Sequence, residues 1–301
     1  MWIFFSLISR FLWAVTNAVD QVFSRAHTTE KTKSVFVLSC ICELPFGLLS
    51  LTLAGGVASF DAPAVKFLCV AVAAHLAALI PYFYALQKEE AYNITPLMET
   101  VPVFLIIMAV VFNNETLTSM QGIGAAMIIG SGFVFSWDFN NSKIKTSVLW
   151  PVMCCCLLFA FAQFSIRSAT THANVWQITG FMMTADGIIG ILAFAALPKI
   201  RKSILSTLKH SRGKSGLIGF ISNLFSFLGL ASIAQAFATA PSTGHVASLS
   251  GTQPFFSFLI AVILAKLLPH HFEKIKFDHQ TKIKLGLLVV IFAGICLLTN
   301  G

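Results

Sequence analysis

Ten apolar runs follow one another along the 301-residue chain, and each is about long enough to cross the hydrocarbon core of a membrane. Hydrophobic residues make up 56% of the chain and charged residues only 11%, whereas about a quarter of a soluble domain is charged. Because backbone groups in lipid must hydrogen-bond within the chain, we predict an all-α integral membrane protein with ten transmembrane helices. The runs lie at about residues 2–23, 34–55, 64–86, 92–112, 119–137, 147–168, 175–197, 215–238, 244–267 and 283–299.

The basic residues predict an orientation. The odd-numbered connections carry 17 of the 20 lysines and arginines, including a basic loop at residues 199–214, and the even-numbered ones carry only 2. Cytoplasmic loops of membrane proteins collect Lys and Arg. We therefore predict that the odd loops are cytoplasmic and that both termini lie outside.

The two halves of the chain resemble each other in register. Glycines eight residues apart occur in both the fifth and the tenth run, and Thr100–Phe104 in the fourth run matches Thr252–Phe256 in the ninth. A carboxylate followed four residues later by glycine occurs at Glu43 in the second run and at Asp186 in the seventh. Because five runs per half is an odd number, the second half must enter the membrane upside down, as in many transporters. We predict two inverted five-helix repeats, at residues 1–140 and 141–301.

Several short segments carry a family resemblance. Tyr84-Ala85-Leu86 precedes the fourth run, Pro102-Val103-Phe104 lies within it, and the acidic turn Asn114–Thr118 precedes a glycine-bearing fifth run. In this order they resemble the drug/metabolite transporter superfamily in its ten-span EamA-type form. The resemblance covers essentially the whole chain and implies solute transport, with spans 1–4 and 6–9 lining the cavity. It also implies cytoplasmic termini, and on that point we follow the basic-residue count instead.

Polar residues in the first run recur at steps of three and four, which places them in one stripe along a helix. The stripe consists of Ser6, Arg10, Trp13, Asn17, Asp20 and Ser24. It must face protein or water, because an ionisable group at mid-membrane costs at least about 2.5 kcal/mol. We predict that the stripe lines a transport cavity and that Trp13, Asn17 and Asp20 bind substrate. Helix-packing contacts are the alternative.

Two carboxylates occupy matching depths in the two halves, Glu43 in the second run and Asp186 in the seventh. We predict that they bind a cationic group of the substrate or carry a proton. The structural alternative is a fixed pairing with Arg10 or with a backbone donor. The remaining predicted substrate-binding residues are polar side chains of the third, fourth and sixth runs, namely His75, Tyr82, Glu99 and Gln163.

Prolines at matching positions predict two hinges. Pro102 lies one turn after Glu99 in the fourth run, and Pro254 has the same place in the ninth. A proline inside a helix removes one backbone hydrogen bond and loosens the helix at that point. We therefore predict that both helices bend there during transport.

The sequence contains no P-loop, nucleotide-binding fingerprint, metalloprotease helix or nucleophile elbow. We predict no enzyme activity, no cofactor, no metal site and no nucleic-acid partner.

Lysines are interleaved with His270, His271 and His279 in the last loop, and we expect this segment to contact anionic membrane lipid. Spans 5 and 10 carry glycines and few polar side chains, so we predict a scaffold or a homodimer surface there.

These patterns favour a secondary active transporter of a small organic metabolite that works by alternating access in a plasma or bacterial inner membrane. The acidic cavity suits an amino-acid, amine or nucleoside-like solute, and it also suits coupling to protons. A lipid flippase and an intramembrane enzyme acting on a lipid-linked substrate are the alternatives.

Overall fold

The computed structural model describes residues 1–25, 31–56, 60–113, 118–135, 137–138, 143–144, 146–240, 243, 246, 249–267 and 279–300. The segments 114–117 and 268–278, which hold most of the acidic turn and of the last loop, lie outside the described residues. The helices are α1 (Trp2–Arg25), α2 (Lys31–Leu53), α3 (Ala62–Lys88), α4 (Ala91–Met98), α5 (Val101–Asn113), α6 (Ser119–Phe135), α7 (Thr146–Ala169), α8 (Val175–Ala196), α9 (Pro198–His210), α10 (Lys214–Thr239), α11 (Thr252–Leu267) and α12 (His279–Asn300).

Six of these helices are long and apolar enough to cross a membrane, namely α1, α2, α3, α7, α8 and α10. Shorter apolar helices cover Thr252–Leu267 and Leu285–Leu297. The fourth apolar run is divided into α4 and α5. The prediction of an all-α, multi-pass membrane protein is confirmed, whereas the count of ten spans stays a prediction.

Two connections differ from the loops expected there. The basic segment after α8 forms the helix α9, whose Ile200, Ser203, Ile204 and Thr207 are buried at helical spacing. The Ser34 hydroxyl of α2 donates to Ser203 Oγ at 2.9 Å and fixes α9 against the bundle. Between α6 and α7, β1 (Trp137–Asp138) pairs antiparallel with β2 (Lys143–Ile144).

The bundle has an apolar outside and a partly polar inside. Large side chains such as Val70, Leu192 and Phe255 are at least half exposed on the outer surface, as lipid-facing residues are. Five of the six residues of the α1 stripe are buried, and the sixth, Trp13, is half-buried. The stripe thus faces the protein interior, which the steps of three and four predicted.

The most extensive helix pairs are α2 with α8, α3 with α7, α1 with α10, and α6 with α12. The pair α6 and α12 meets at Gly294, where an added Cβ would lie 2.9 Å from the Gly124 carbonyl oxygen. Gly122, Gly130 and Gly286 have open space where a side chain would project, so they do not mediate helix contacts within the described chain. Of the four glycines that are spaced eight residues apart in the fifth and tenth runs, Gly294 is the one at a close helix approach within the described chain.

Candidate functional site

A cavity of about 150 Å³ lies inside the bundle, between helices from both halves of the chain. Its wall contains side chains of α1, α2, α3, α5, α7, α8, α10 and α11 and of the short connections before α5 and α11. All nine predicted binding residues line it: Trp13, Asn17, Asp20, Glu43, His75, Tyr82, Glu99, Gln163 and Asp186. Pro102 lines it too, whereas Pro254 is buried next to the lining residue Gln253.

Close backbone approach between α2 and α8 brings the two predicted carboxylates together. An added Cβ at Gly187 would lie 2.6 Å from Leu44 Cβ, and one at Gly190 would lie 2.7 Å from Cys40 Cβ. Gly47 and Gly180 are equally crowded by the opposite helix. Only glycine permits this separation, which follows the small-residue packing of membrane helices. As a result Glu43 lies beside Asp186, and each side chain is at most 4% exposed.

Asp186 has one bound and one unbound carboxylate oxygen. His75 Nδ1 lies 2.8 Å from Asp186 Oδ2, and the His75 ring stands 5.8 Å from the ring of Phe159. Asp186 Oδ1 is buried and has no hydrogen-bond partner in the described part of the chain. A buried carboxylate oxygen without a donor is costly. This oxygen is therefore suited to accept a hydrogen bond from a solute that enters the cavity.

A second polar cluster joins α1, α3 and α10 around Asp20. The Tyr82 hydroxyl lies 2.9 Å from both Asn17 Oδ1 and Asp20 Oδ2, and its single proton serves one of them at a time. The Ser222 hydroxyl donates to Asp20 Oδ1. Asn17 Nδ2 is 3.5 Å from Thr95 Oγ1. Asp20 is thus held by hydroxyl donors from two other helices.

Arg10 and Glu99 form a third polar region of the cavity. The guanidinium of Arg10 lies over Trp13, with its carbon 5.1 Å from the ring centroid. Glu99 is the acidic residue whose charge acts on Arg10, and Ser250 lies beside Glu99. Among the described residues, neither Arg10 Nε nor Glu99 Oε2 has a hydrogen-bond partner, although both atoms are buried. The predicted alternative of a fixed pairing between Arg10 and Glu43 or Asp186 is wrong, because Glu99 is the acidic residue whose charge acts on Arg10.

Both predicted hinge regions are helix starts. The fourth apolar run breaks at Glu99 and Thr100, so Pro102 is the second residue of α5. Pro254 is the third residue of α11, directly after a 3-10 turn at Leu249–Gly251. The first four N–H groups of a helix have no partner within it, so a proline there removes no helix hydrogen bond. The expected loosening by a lost bond is therefore wrong, and the break in the chain precedes each proline.

Sequence patterns missed several wall residues. Two of these wall residues are Arg10 and Gln253, which are not among the predicted binding residues. Arg10 belongs to the polar stripe of the first run, and Gln253 lies within the segment that matches Thr100–Phe104. Both could have been found from those two patterns. Apolar wall residues such as Met182, Leu230 and Ile233 have no such signal, because they resemble any other core position. No group of side chains that could hold a metal ion is found among the described residues.

The long apolar helices and the buried polar interior define a multi-pass integral membrane protein. Residues 1–137 match the sequence model of the EamA-like transporter family. None of the curated proteins compared matches the chain. A solved structure titled only "Crystal structure of protein" is similar over 99% of this chain and 96% of that one, with a TM-score of 0.59 and 14% identity. At that identity the likeness concerns the fold alone.

Proposed function

We propose that the chain is a secondary active transporter that moves a small organic metabolite by alternating access and is not an enzyme. The observation that carries this proposal is the buried cavity between the two halves, whose wall includes charged side chains with unpartnered atoms. Secondary transporters bind their substrates at such an interface between repeats. A cavity of about 150 Å³ has room for roughly five water molecules, which is the scale of a small metabolite.

The proposal includes ten spans in two inverted repeats, residues 1–140 and 141–301. In this arrangement α1 is equivalent to α7, α2 to α8, α3 to α10, α5 to α11 and α6 to α12. The helix pairing supports it. Exchanging equivalent helices leaves the α2–α8 and α6–α12 pairs unchanged and converts the α3–α7 pair into the α1–α10 pair. The contacts of α5 with α7 and of α11 with α1 are related in the same way.

Alternating access requires elements that bend, and the two helix breaks are the candidates. The break at Glu99 and Thr100 and the turn at Leu249–Gly251 both supply residues to the cavity wall. Broken helices at the binding site recur in secondary transporters. We propose that α5 and α11 tilt at these breaks, next to Pro102 and Pro254, while α2 and α8 stay together.

Contacts at the ends of α1 and α7 are candidates for the closures on the two sides of the membrane. Gln21 donates to Glu90 and accepts a hydrogen bond from the Ala91 N–H at 2.8 Å, which joins the end of α1 to the start of α4. Arg167 donates to the Phe237 carbonyl oxygen, which joins the end of α7 to α10. In an inverted repeat these two ends lie at opposite membrane faces. Opening on either side would then break one contact and keep the other.

We further propose that the odd loops are cytoplasmic and that both termini lie outside, in a plasma or bacterial inner membrane. The basic side chains on and after α9 support this orientation, because all six are exposed. They are Lys199, Arg201, Lys202, Lys209, Arg212 and Lys214.

We also propose contact of the last loop with anionic lipid. A homodimer through α6 and α12 would use the faces of these helices that carry Ile123 and Val289, since both side chains are more than half exposed.

The test is reconstitution of the purified protein after a ligand screen. Amino acids, amines and nucleosides that raise the melting temperature in detergent are assayed for accumulation in proteoliposomes under a proton gradient. The Glu43→Gln, Asp186→Asn double variant is expected to lose accumulation at least about tenfold, because both cavity carboxylates are removed. Gly286→Ala is the matched control, since its side chain would enter open space.

Each rival function has its own signature in the same preparation. Accumulation by the double variant equal to that by Gly286→Ala, with an unchanged pH dependence, would refute a role for the two carboxylates. Chemical conversion of a ligand in detergent, with no sealed membrane, would indicate an enzyme. Movement of a fluorescent lipid between leaflets, with no solute accumulation, would indicate a flippase.

A further inference from the structure

Arg10 is unusual among the residues of the cavity wall. It is the one arginine or lysine among the described residues of that wall, and its side chain is only 5% exposed. Its Nε has no hydrogen-bond partner in the described ranges, and its guanidinium is stacked over the Trp13 ring. A buried guanidinium that leaves a donor unused is costly unless an acceptor arrives. The planar guanidinium of Arg donates two parallel hydrogen bonds, and this geometry fits carboxylate and phosphate groups.

The surroundings of Arg10 also favour an anion. The helices α5 and α11 both begin at the cavity wall, with Val101 and Gln253 among the lining residues. Helix N-termini carry a partial positive charge. Glu99 acts on Arg10 electrostatically but leaves its own Oε2 unpartnered, so the two side chains do not satisfy one another. An incoming carboxylate would find the unused Nε donor of Arg10 here.

A purely anionic solute does not suit the rest of the cavity. The wall contains four acidic side chains and one arginine, so a lone anion would meet net repulsion. On the α2–α8 side of the cavity, Asp186 Oδ1 is buried without a donor and Glu43 lies next to it. An ammonium group would supply the missing donors at that place. The solute that satisfies both regions carries an ammonium group and a carboxylate.

Resting on the proposed function, we infer that Arg10 is the anion-binding residue of the cavity and that the transported solute is a zwitterion. Its carboxylate is bound by Arg10 beside the starts of α5 and α11. Its ammonium group is bound by Asp186 and Glu43. The apolar wall, which includes Leu105, Phe159 and Met182, encloses a hydrophobic body of the size of a leucine or phenylalanine side chain. Glu99 compensates the charge of Arg10 while no solute is bound.

The test uses two sets of matched probes on the full-length protein in detergent. Each set contains a zwitterion, the amide that lacks the negative charge, and the acid that lacks the positive charge. They are L-leucine, L-leucinamide and 4-methylpentanoate, and L-phenylalanine, L-phenylalaninamide and 3-phenylpropanoate. The dissociation constant of each probe is measured from the concentration dependence of the melting temperature. A zwitterion of at least one set is expected to bind about 10- to 100-fold more tightly than its amide and its acid.

Four variants separate anion binding from a structural role of Arg10. Arg10→Gln should lose the preference for zwitterion over amide and leave amide binding within about threefold of wild type. Glu99→Gln should keep the preference, because it removes only the competing carboxylate. The double variant Arg10→Gln, Glu99→Gln should fold without an uncompensated charge and still lack the preference. Arg201→Gln is the control, because this arginine is exposed on α9 and lies outside the cavity wall.

Three binding results would overturn the inference. They are equal binding of a zwitterion and its amide by wild type, absence of binding by every probe, and recovery of the preference in the double variant. The last would show that Arg10 serves only to neutralise Glu99. A different result would refute the proposed function. If a zwitterion binds through Arg10 but is not accumulated in proteoliposomes, transport is refuted and the binding role of Arg10 is kept. Accumulation of a cationic solute independent of Arg10 would refute the inference and keep transport.

Discussion

The close approach of α2 and α8 predicts that Gly187→Ala destabilises the protein. The new Cβ would lie 2.6 Å from Leu44 Cβ and 2.9 Å from Leu44 Cα, closer than ordinary van der Waals contact. Part of the contact is with backbone, which no rotamer change can relieve. The helices must therefore separate by several tenths of an ångström, and overpacking of this kind costs about 1–3 kcal/mol. Separation would also move Asp186 away from Glu43, because both lie within one turn of the contact.

The control substitution is Gly286→Ala, where the added Cβ meets no atom within 4 Å. In an open helical position, alanine stabilises by roughly 0.5–1 kcal/mol relative to glycine. The two variants make the same chemical change in membrane helices and differ only in the neighbouring atoms. We expect the Gly187 variant to be less stable than the Gly286 variant by at least about 1 kcal/mol, after the helix gain of alanine is allowed for.

Thermal unfolding in detergent, followed by a thiol-reactive fluorophore, measures this difference. Cys40, Cys155 and Cys156 are buried and react only after unfolding, whereas the exposed Cys69 and Cys154 give a constant background. A difference of 1 kcal/mol corresponds to roughly 1.5–2 °C in melting temperature for a chain of this size. Equal melting temperatures, or a higher one for the Gly187 variant, would show that α2 and α8 are not packed as closely as described.

Three further predictions concern the Asp20 cluster, the orientation and the helix breaks. Tyr82→Phe removes the hydroxyl next to Asp20 and Asn17 and should lower stability by about 1–3 kcal/mol in the same assay; a loss below about 0.5 kcal/mol would contradict the described contact. A cysteine in place of the exposed Ser206 on α9, with Cys69 and Cys154 replaced, should react with an impermeant maleimide in inside-out vesicles and not in intact cells. The reverse labelling would place the odd loops outside. Pro102→Ala should leave the melting temperature unchanged while accumulation slows, because without the proline ring the helix can continue across the break at Glu99 and Thr100; an unchanged accumulation rate would remove Pro102 from the proposed hinge.

The sequence predicted the polar interior well because lipid makes polar side chains rare and therefore informative. Asn17, Asp20, Glu43 and Asp186 each stand out in an apolar helix, and the spacing of the stripe on α1 is enough to assign a face. All of them line one cavity in the structure. In a soluble protein the same residues would be a few among many polar ones.

Partner choice could not be predicted in the same way. Nothing in the spacing distinguishes Glu99 from Glu43 or Asp186 as the acidic residue whose charge acts on Arg10. The pairing of His75 with Asp186, 2.8 Å apart, joins α3 to α8, and it depends on how those helices are arranged around the cavity. Periodicity within one helix specifies a face but carries no information about which helix that face meets.

The helix starts at α5 and α11 show why local rules need the tertiary setting. Proline inside a helix predicts a kink, and the matching positions of Pro102 and Pro254 made two kinks a reasonable expectation. In the structure the prolines occupy the first turns of α5 and α11, where their rigid backbone favours helix initiation. Both first turns adjoin the cavity that Arg10 lines, since Pro102 and Gln253 are among its wall residues. The physical role of the two prolines is therefore to start two helices beside the binding site, and this gives the proposed anion subsite a second source of positive potential besides Arg10.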